Sequence, residues 1–224
     1  MSFDGARHTI CELTMGQDDL RLFLRDRNGE VFGNFSSVED SLPQGQRLGI
    51  AMNAGMYHDD RAPVGLYIED GVEEMRLITS DGPGNFGLLP NGVFCLTKAR
   101  ALVIESRAFA AAPPACRYAT QSGPMLVING DLHPQFRPQS DSLNIRNGVG
   151  VDAQGTRIVL AISDEPVNFH HFARLFRDGL ELPNALFLDG RISRLYAPEA
   201  GRNDFGFAIG PILGTVVDDS AAGG

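Results

Sequence analysis

The amino-acid sequence predicts an α+β fold, in which a mostly antiparallel or mixed, twisted β-sheet built from hairpins packs with a few helices. Short apolar runs recur along the chain with glycine-containing turns between them, and one segment alone has clear helical periodicity. The 26 glycines and 13 prolines exceed ordinary usage, which argues against a helical bundle. We expect a single domain over residues 1–224, because no linker divides the chain.

Five hairpin-like units support the prediction of antiparallel sheets. In these units Asn-Gly, Asp-Gly or another glycine-containing turn follows an apolar run, and such turns supply the positive φ angles that tight hairpins need. Hairpin partners pair antiparallel, so the sheets should be dominated by antiparallel contacts. The five units lie at residues 20–32, 64–71, 93–104, 125–130 and 148–162.

The main helix is predicted at about residues 166–178, where apolar residues recur at i, i+3, i+4 and i+7. Ser163 or Asp164 could cap its start, and Gly179 suits its end. A buried strand at 185–188 follows, so strand, helix and strand in this order predict one crossover unit. The apolar face of the helix is formed by Phe169, Phe172, Ala173 and Phe176.

Charge and hydropathy exclude several classes of partner. The net charge of −9 gives no global field to attract nucleic acid. No apolar run reaches the roughly 18 residues of a membrane span. The first residues lack the features of a signal peptide, as expected for a cytoplasmic protein or for an exported one whose signal has been removed. The sequence therefore leaves the compartment open, and the oligomeric state as well.

The chain offers little to bind a metal or a cofactor. Its three cysteines are widely separated, which favours buried free thiols over a disulfide framework. His170 and His171 are adjacent on the predicted helix and cannot both reach one ion. A solvated loop explains residues 58–60 better than a cation site does. No metal or cofactor is indicated, although a divalent metal is not excluded. Residues 218–224 are predicted to form a disordered tail.

Two glycine-containing segments place amides near flexible backbone. Residues 51–57 contain Asn53, Gly55 and Tyr57 directly after an apolar run, so an amide and bare backbone N–H groups could meet a ligand there. A turn in which the Asn bonds its own backbone explains the same residues. Residues 120–124 contain a further polar strip. It lacks the Gly-x-Ser-x-Gly pattern of a nucleophile elbow, so a binding role is favoured for Gln121, Ser122 and Gly123.

Two further segments supply charged groups. Arg146 and Asn147 precede a glycine-alternating strand, where small residues would leave room for a guanidinium to reach an anion. A surface arginine beside a hairpin is the simpler interpretation. Asp189 ends a buried strand and is followed by Gly190 and, three residues later, by Ser193. A carboxylate in this position is favoured for catalysis, and a plain Asp-Gly turn is equally common.

Six segments in a fixed order carry a resemblance, namely residues 51–57, 63–67, 84–86 with 90–94, 119–124, 145–151 and 184–190. Together they resemble the phosphodiester glycosidase family, in its bacterial branch of short members. The branch of the lysosomal uncovering enzyme has Asp-Gly-Gly before a serine, whereas Arg191 and Ile192 separate Gly190 from Ser193 here. The resemblance therefore implies the fold and the reaction type but not the sugar specificity.

The resemblance implies a hydrolase that removes a sugar from a sugar-1-phosphate diester. Carried over by motif, Asn53 with Gly55, Arg146 and Asp189 match recurrent polar positions of the family. Charge moves onto the departing phosphate in this reaction, so Arg146 is expected to act as a phosphate clamp. Asp189 would be the nucleophile or the base that activates water.

The remaining expectations concern binding and alternative functions. Asp164 or Glu165 is the expected second carboxylate, and Tyr57, Asn147 and Ser193 are expected to bind the substrate, a small-molecule or glycan phosphodiester. A noncatalytic glycan- or phosphoglycan-binding protein would use Asn53, Gln121 and Arg146 for affinity and would not need Asp189. A metal-dependent phosphodiesterase that cuts the P–O bond is the third interpretation.

Overall fold

The computed structural model describes residues 1–189 and 192–219 and consists mainly of antiparallel strands. Three short α-helices accompany them, α1 (Phe35–Ser41), α2 (Ser106–Ala111) and α3 (Phe169–Arg174). The strands are β1 (Ser2–Phe3), β2 (Ala6–Thr14), β3 (Asp19–Phe23), β4 (Gln46–Asn53), β5 (Tyr67–Glu69), β6 (Val72–Met75), β7 (Gly92–Leu96), β8 (Ala101–Glu105), β9 (Tyr118–Ser122), β10 (Met125–Ile128), β11 (Asp131–Leu132), β12 (Asn147–Val151), β13 (Arg157–Ser163), β14 (Asn184–Phe187), β15 (Leu195–Ala197), β16 (Arg202–Asn203) and β17 (Ile212–Asp218). The predicted α+β class is confirmed.

The described strands form three sheets. The first has the order β1-β2-β13-β12-β14-β10-β11, the second β16-β15-β4-β17-β3, and the third β6-β5-β9-β7-β8. In the first sheet, β13 and β14 both pair antiparallel with β12 and therefore run in the same direction. Since α3 lies between them in the chain, this is the predicted strand–helix–strand crossover.

Four of the five predicted hairpins are confirmed, namely β5–β6, β7–β8, β10–β11 and β12–β13. The prediction for residues 20–32 is confirmed only in part, because an antiparallel bridge joins Arg25 to Val31 and the N–H of Phe32 donates to the carbonyl of Leu24, but no paired strands extend from this turn. The Asp26 carboxylate accepts the backbone N–H groups of Asn28 and Glu30, which holds a wider loop. Strand β3 pairs with β17 instead.

The main helix begins later than predicted. Asn168, not Ser163 or Asp164, caps α3 by accepting the N–H of His171 at 2.8 Å. Residue Val167 pairs with Asn144 in an extended bridge, which keeps the preceding segment out of the helix. After α3 the chain continues as a π-helical turn over Leu175–Gly179, so the helical region does end at Gly179.

The glycines of β12 are explained by helix packing. A Cβ atom at Gly150 would lie 2.7 Å from the Phe176 ring, and one at Gly148 would lie 3.3 Å from Phe172. Both rings are fully buried, and burying each is worth about 1.5–3 kcal/mol. The alternation therefore lets the apolar face of the helical segment approach the sheet, whereas we expected it to leave room for a ligand.

Two further predictions were wrong. Cys95 and Cys116 form a disulfide, which closes a sequence separation of 21 residues, and only Cys11 is a buried free thiol. Asp218 pairs with Gln46 as the last residue of β17, so the predicted tail of 218–224 begins too early. Residues 220–224 lie outside the described residues. Every helix within residues 1–189 and 192–219 is too short or too polar to span a membrane.

Candidate active site

A buried network of hydrogen bonds surrounds the Asn53 side chain. Its Nδ2 donates to Oδ2 of Asp189 at 2.8 Å. Its Oδ1 accepts the side-chain amide of Asn147 at 3.0 Å and the backbone N–H of Arg194 at 2.8 Å. Asn53 and Asn147 have no solvent exposure, and 6% of Asp189 is exposed. The network therefore fixes the carboxylate of Asp189 against a rigid framework.

The three sheets meet at this network. Asn53 is the last residue of β4 in the second sheet, and Asn147 is the first of β12 in the first sheet. Ser122 ends β9 in the third sheet, and its hydroxyl donates to the carbonyl of Leu188 at 2.8 Å. That bond holds the backbone immediately before Asp189. Residues from all three sheets thus position one carboxylate.

Asp189 lines a cavity of about 370 Å³. Tyr57 forms part of its wall, and the Tyr57 ring packs so closely on Gly210 that a Cβ there would lie 2.5 Å from it. Burial raises the pKa of Tyr57, and the negative charge of Asp189 raises it further. The remaining walls are formed by Met56, His58, Asp59, Arg61, Val64 and Ile192. The cavity is large enough for one sugar ring beside the carboxylate.

Ser193 supports the site without reaching into this cavity. Its hydroxyl donates to the carbonyl of Ile145 at 3.1 Å and makes a longer 3.4 Å contact with Oδ1 of Asn147. These contacts join the segment after Asp189 to the start of β12. Gly190 and Arg191, which were part of the sequence motif, lie outside the described residues.

The predicted polar strip of β9 is used mainly inside the protein. Gln121 is buried, and its side-chain oxygen accepts the N–H groups of Leu66 and Ile78. Gly55 permits close packing, since a Cβ there would lie 2.7 Å from Oγ1 of Thr120. At Gly123 a Cβ would lie 2.6 Å from Cβ of Asn91. These residues do not line the cavity of Asp189, and they support its shape through packing.

The structure does not bring Arg146 to the Asn53–Asp189 pair. Its guanidinium lies 3.6 Å from the ring centroid of Phe169 and donates to the carbonyls of Val167 and Ser142, each at 2.8 Å. The side chain is 1% exposed, and burial lowers the pKa of Arg146 to about 10. Arg146 therefore joins the loop before β12 to the segment that leads into α3.

The two expected second carboxylates are engaged in ion pairs. Asp164 pairs with Arg202 at 2.6 Å and also accepts the hydroxyl of Thr9. Glu165 pairs with Arg7 at 3.2 Å near the surface. Neither is joined to the Asn53 network by a hydrogen bond between described residues. Asp189 is thus the carboxylate that the network holds.

Arg194 was missed in the sequence, although it directly follows Ser193. Only 7% of this residue is exposed, and its side chain lines a second cavity of about 540 Å³. Its guanidinium packs against Gly206, where a Cβ would lie 2.6 Å from Nη2. The run of charged and polar residues after Asp189 was the available signal.

The described residues offer no ready metal site. Within residues 1–189 and 192–219, no group of three or more His, Cys, Asp and Glu side chains is arranged to hold an ion. The histidines at positions 170 and 171 lie on α3, away from the Asn53 network.

Comparisons with known proteins identify a family model and a bacterial relative that match this chain. The family model described as phosphodiester glycosidase matches residues 46–207. The uncharacterized protein YigE of Escherichia coli (strain K12) is 34% identical over 177 residues, which cover 79% of this chain and 69% of that protein. The residues that the family model matches include both Asn53 and Asp189.

Two solved structures share the fold. One is the catalytic domain of zebrafish N-acetylglucosamine-1-phosphodiester alpha-N-acetylglucosaminidase, auto-inhibited by its pro-peptide, with a TM-score of 0.60 and 13% identity over 94% of this chain and 82% of that one. The other is a hypothetical protein from Synechocystis, with a TM-score of 0.58 and 14% identity over 96% of this chain and 60% of that one. The family model and the bacterial relative together show that this chain belongs to the phosphodiester glycosidase family.

Proposed function

We propose that this protein hydrolyses the glycosidic bond of a sugar-1-phosphodiester and releases a free sugar and a phosphomonoester. Membership of the phosphodiester glycosidase family supports the reaction class. The observation that carries the proposal is the carboxylate of Asp189, held by Asn53 at 2.8 Å on the wall of a cavity.

The leaving group explains why one carboxylate is enough. As the bond between C1 and oxygen breaks, positive charge develops on the sugar and negative charge on the phosphate. A phosphate leaves far more readily than an alcohol, so no general acid is needed to protonate it. Asp164 and Glu165 are therefore free to serve in ion pairs.

In the proposed step, Asp189 acts as a general base. It takes a proton from a water molecule as the water oxygen bonds to C1, and the electron pair of the breaking C1–O bond leaves with the phosphate. This single displacement inverts the configuration at C1. A nucleophilic Asp189 would instead retain it through a covalent intermediate.

The surroundings of Asp189 suit this role. Asn53 fixes one carboxylate oxygen, and the buried backbone before Asp189 is held by Ser122. A rigid base needs no rearrangement in the transition state, which is a large part of catalytic efficiency. Tyr57 would form the wall against which the sugar packs.

The experiment is a panel of sugar-1-phosphodiesters and nucleotide sugars, with detection of free sugar and ¹H NMR of the first anomer formed. We expect at least one substrate to yield the inverted anomer. In water enriched in oxygen-18, the label should enter the sugar. Retention would contradict the base role of Asp189.

Two other results would overturn the proposal. Label in the phosphate would indicate P–O cleavage and favour a phosphodiesterase, with chelator sensitivity as a second sign. Saturable binding of phosphodiesters without turnover would indicate a glycan- or phosphoglycan-binding protein. Asp189→Ala would then lower the affinity only modestly.

A further inference from the structure

Arg194 is a buried cation without a counterion among the described residues. Only 7% of the residue is exposed to solvent, yet its guanidinium makes no hydrogen bond or ion pair with residues 1–189 or 192–219. None of its guanidinium nitrogens is fully enclosed without a partner, so they face the cavity that Arg194 lines. Because a largely shielded charge is stabilised by an anion or by several acceptors, Arg194 is placed to receive an acceptor from outside the described residues.

The neighbouring carboxylates have other partners. Asp204 pairs with Arg202 at 2.9 Å and accepts the N–H of Leu195. Glu39 accepts the N–H of Leu48. Both line the same cavity as Arg194, and neither forms an ion pair with it. The guanidinium thus keeps its donors available although two carboxylates are near.

Arg146 provides the contrast within this chain. It is buried even more deeply than Arg194, with 1% exposed, and its guanidinium bonds two backbone carbonyls and stacks on Phe169. That arginine is satisfied by the fold itself. The comparison shows that this protein does compensate a buried guanidinium where its role is structural.

Arg194 is also directly connected to the proposed catalytic carboxylate. Its backbone N–H donates to Asn53, whose amide donates in turn to Asp189. Both Asp189 and Arg194 act electrostatically on Tyr57, which lies within range of both charges. The two cavities that these side chains line therefore flank one hydrogen-bonded centre.

We propose that Arg194 binds the phosphoryl oxygens of the substrate, and that the cavity it lines receives an uncharged leaving group attached through that single phosphate. The proposal rests on the proposed function for the position of the phosphate beside Asp189. A guanidinium presents a planar fork of N–H donors that matches two phosphoryl oxygens. Charge grows on these oxygens as the C1–O bond breaks, so the contact strengthens in the transition state.

The lining of the cavity indicates the class of leaving group. Glu39 and Asp204 would repel a second phosphate, so a diphosphate is disfavoured. Phe205 is 93% exposed at the edge of the cavity, and Tyr196 also lines it. These aromatic rings offer flat apolar surface to an uncharged group.

The first experiment measures anion binding without turnover. Inorganic phosphate and methyl phosphate are titrated by calorimetry into the wild type, Arg194→Lys, Arg194→Gln and the control Arg157→Lys, whose guanidinium pairs with Glu12 outside the cavity. We expect Arg194→Gln to weaken binding at least tenfold, Arg194→Lys to weaken it less, and Arg157→Lys to match the wild type. Circular dichroism checks folding, and Arg194→Lys serves if Arg194→Gln does not fold.

The second experiment uses whichever phosphodiester is hydrolysed. We expect Arg194→Lys to lower kcat/KM at least tenfold and to weaken inhibition by methyl phosphate in parallel. Methyl phosphate should bind at least as tightly as methyl diphosphate. Tighter binding of methyl diphosphate would overturn the assignment of an uncharged leaving group.

The outcomes separate this inference from the proposed function. Phosphate binding that depends on Arg194, without hydrolysis of any diester, would support the anion site and contradict the glycosidase. Hydrolysis with phosphate affinity unchanged in both Arg194 variants would support the glycosidase and overturn the role of Arg194. Retention of phosphate binding in Asp189→Asn would support separate roles for the two residues.

Discussion

The side-chain amide of Asn53 donates a hydrogen bond of 2.8 Å to the carboxylate of Asp189, although 136 positions separate them in the chain. Asn53 ends a strand of the second sheet, and Asp189 follows a strand of the first. The bond therefore exists only when the two sheets have assembled correctly. Folding and the formation of the candidate active site are linked at this contact.

We expect Asn53→Ala to lower both activity and stability. The change leaves the Asn147 amide and the Arg194 N–H without their buried acceptor, and it frees the Asp189 carboxylate. Such losses should reduce the free energy of unfolding by about 2–4 kcal/mol. Denaturant unfolding and kcat of the folded enzyme measure the two effects, and kcat should fall at least tenfold.

Asn91→Ala is the matched control for this substitution. Asn91 is also fully buried, and its amide donates to the carbonyl of Phe86 outside the Asn53 network. It should lose stability while kcat of the folded enzyme stays within about twofold, because no hydrogen bond to the site is removed. Equal losses of kcat in both variants would mean that Asn53 acts through stability alone.

Arg146→Lys should lower stability with little effect on catalysis. A lysine cannot stack a planar group on Phe169 while donating to both Val167 and Ser142. We expect the free energy of unfolding to fall by about 1–3 kcal/mol, with KM unchanged. Thermal unfolding and steady-state kinetics test this. A tenfold loss of kcat/KM at unchanged stability would restore Arg146 as a phosphate clamp.

The sequence did not show which arginine lies beside the site, Arg146 or Arg194. Neighbouring residues of a strand point to opposite faces, so only one of Arg146 and Asn147 can face Asn53. In β12 the valines share the face of Asn147 and the glycines share the face that Arg146 would extend, and because both faces are buried the pattern gave no means to decide which. The structure places Asn147 at the site, and the arginine that lines a cavity beside it is Arg194.

Local signals were sufficient for most of the fold. Turn residues located four hairpins, and helical periodicity located the main helical segment. The division into three sheets could not be predicted, because it depends on pairings between distant strands such as β4 with β17. The disulfide was missed for the same reason, since strand pairing brings Cys95 and Cys116 together.

Stability should fall as the pH drops below about 6.5, because the buried His8 has no partner on either ring nitrogen and the half-buried His171 has none on Nε2. Desolvation lowers the pKa of both, the rings stack at 5.4 Å, and each also feels nearby charges, those of Asp4, Asp164 and Arg174 among them. The unfolded chain then binds more protons than the folded one between pH 6.5 and the lowered pKa values. The free energy of unfolding is measured by denaturant titration between pH 5 and pH 8.

His8→Gln is the comparison that isolates this effect. Burial raises the pKa of Glu69 to about 7, which gives the opposite pH dependence in the range from 4.5 to 7. The pH dependence of the free energy of unfolding in the wild type therefore combines the effects of the histidines and of Glu69. The effect of Glu69 cancels in the difference between the wild type and His8→Gln. We expect the wild type to lose more stability than His8→Gln on acidification. Parallel curves would show that His8 does not titrate with folding.

Thiol titration should find one free cysteine in each chain. Cys95 and Cys116 are joined, and Cys11 is buried, so denaturation without reductant should expose a single thiol. Reduction should raise the number to three and lower the free energy of unfolding by about 3 kcal/mol, as expected for a loop of this length. Three thiols before reduction would contradict the disulfide and restore the prediction of free cysteines.

The most direct test of Asp189 as the catalytic base is to measure the release of free sugar by Asp189→Asn. The substitution preserves the size of the side chain and an acceptor for Asn53, but it removes the base. Asp178→Asn, which changes a surface carboxylate paired with Arg174, is the control. With a sugar-1-phosphodiester that the wild type hydrolyses, we predict that Asp189→Asn loses roughly 10²–10⁴-fold in kcat while Asp178→Asn keeps full activity. Turnover by Asp189→Asn at the wild-type rate would show that Asp189 is not the catalytic base.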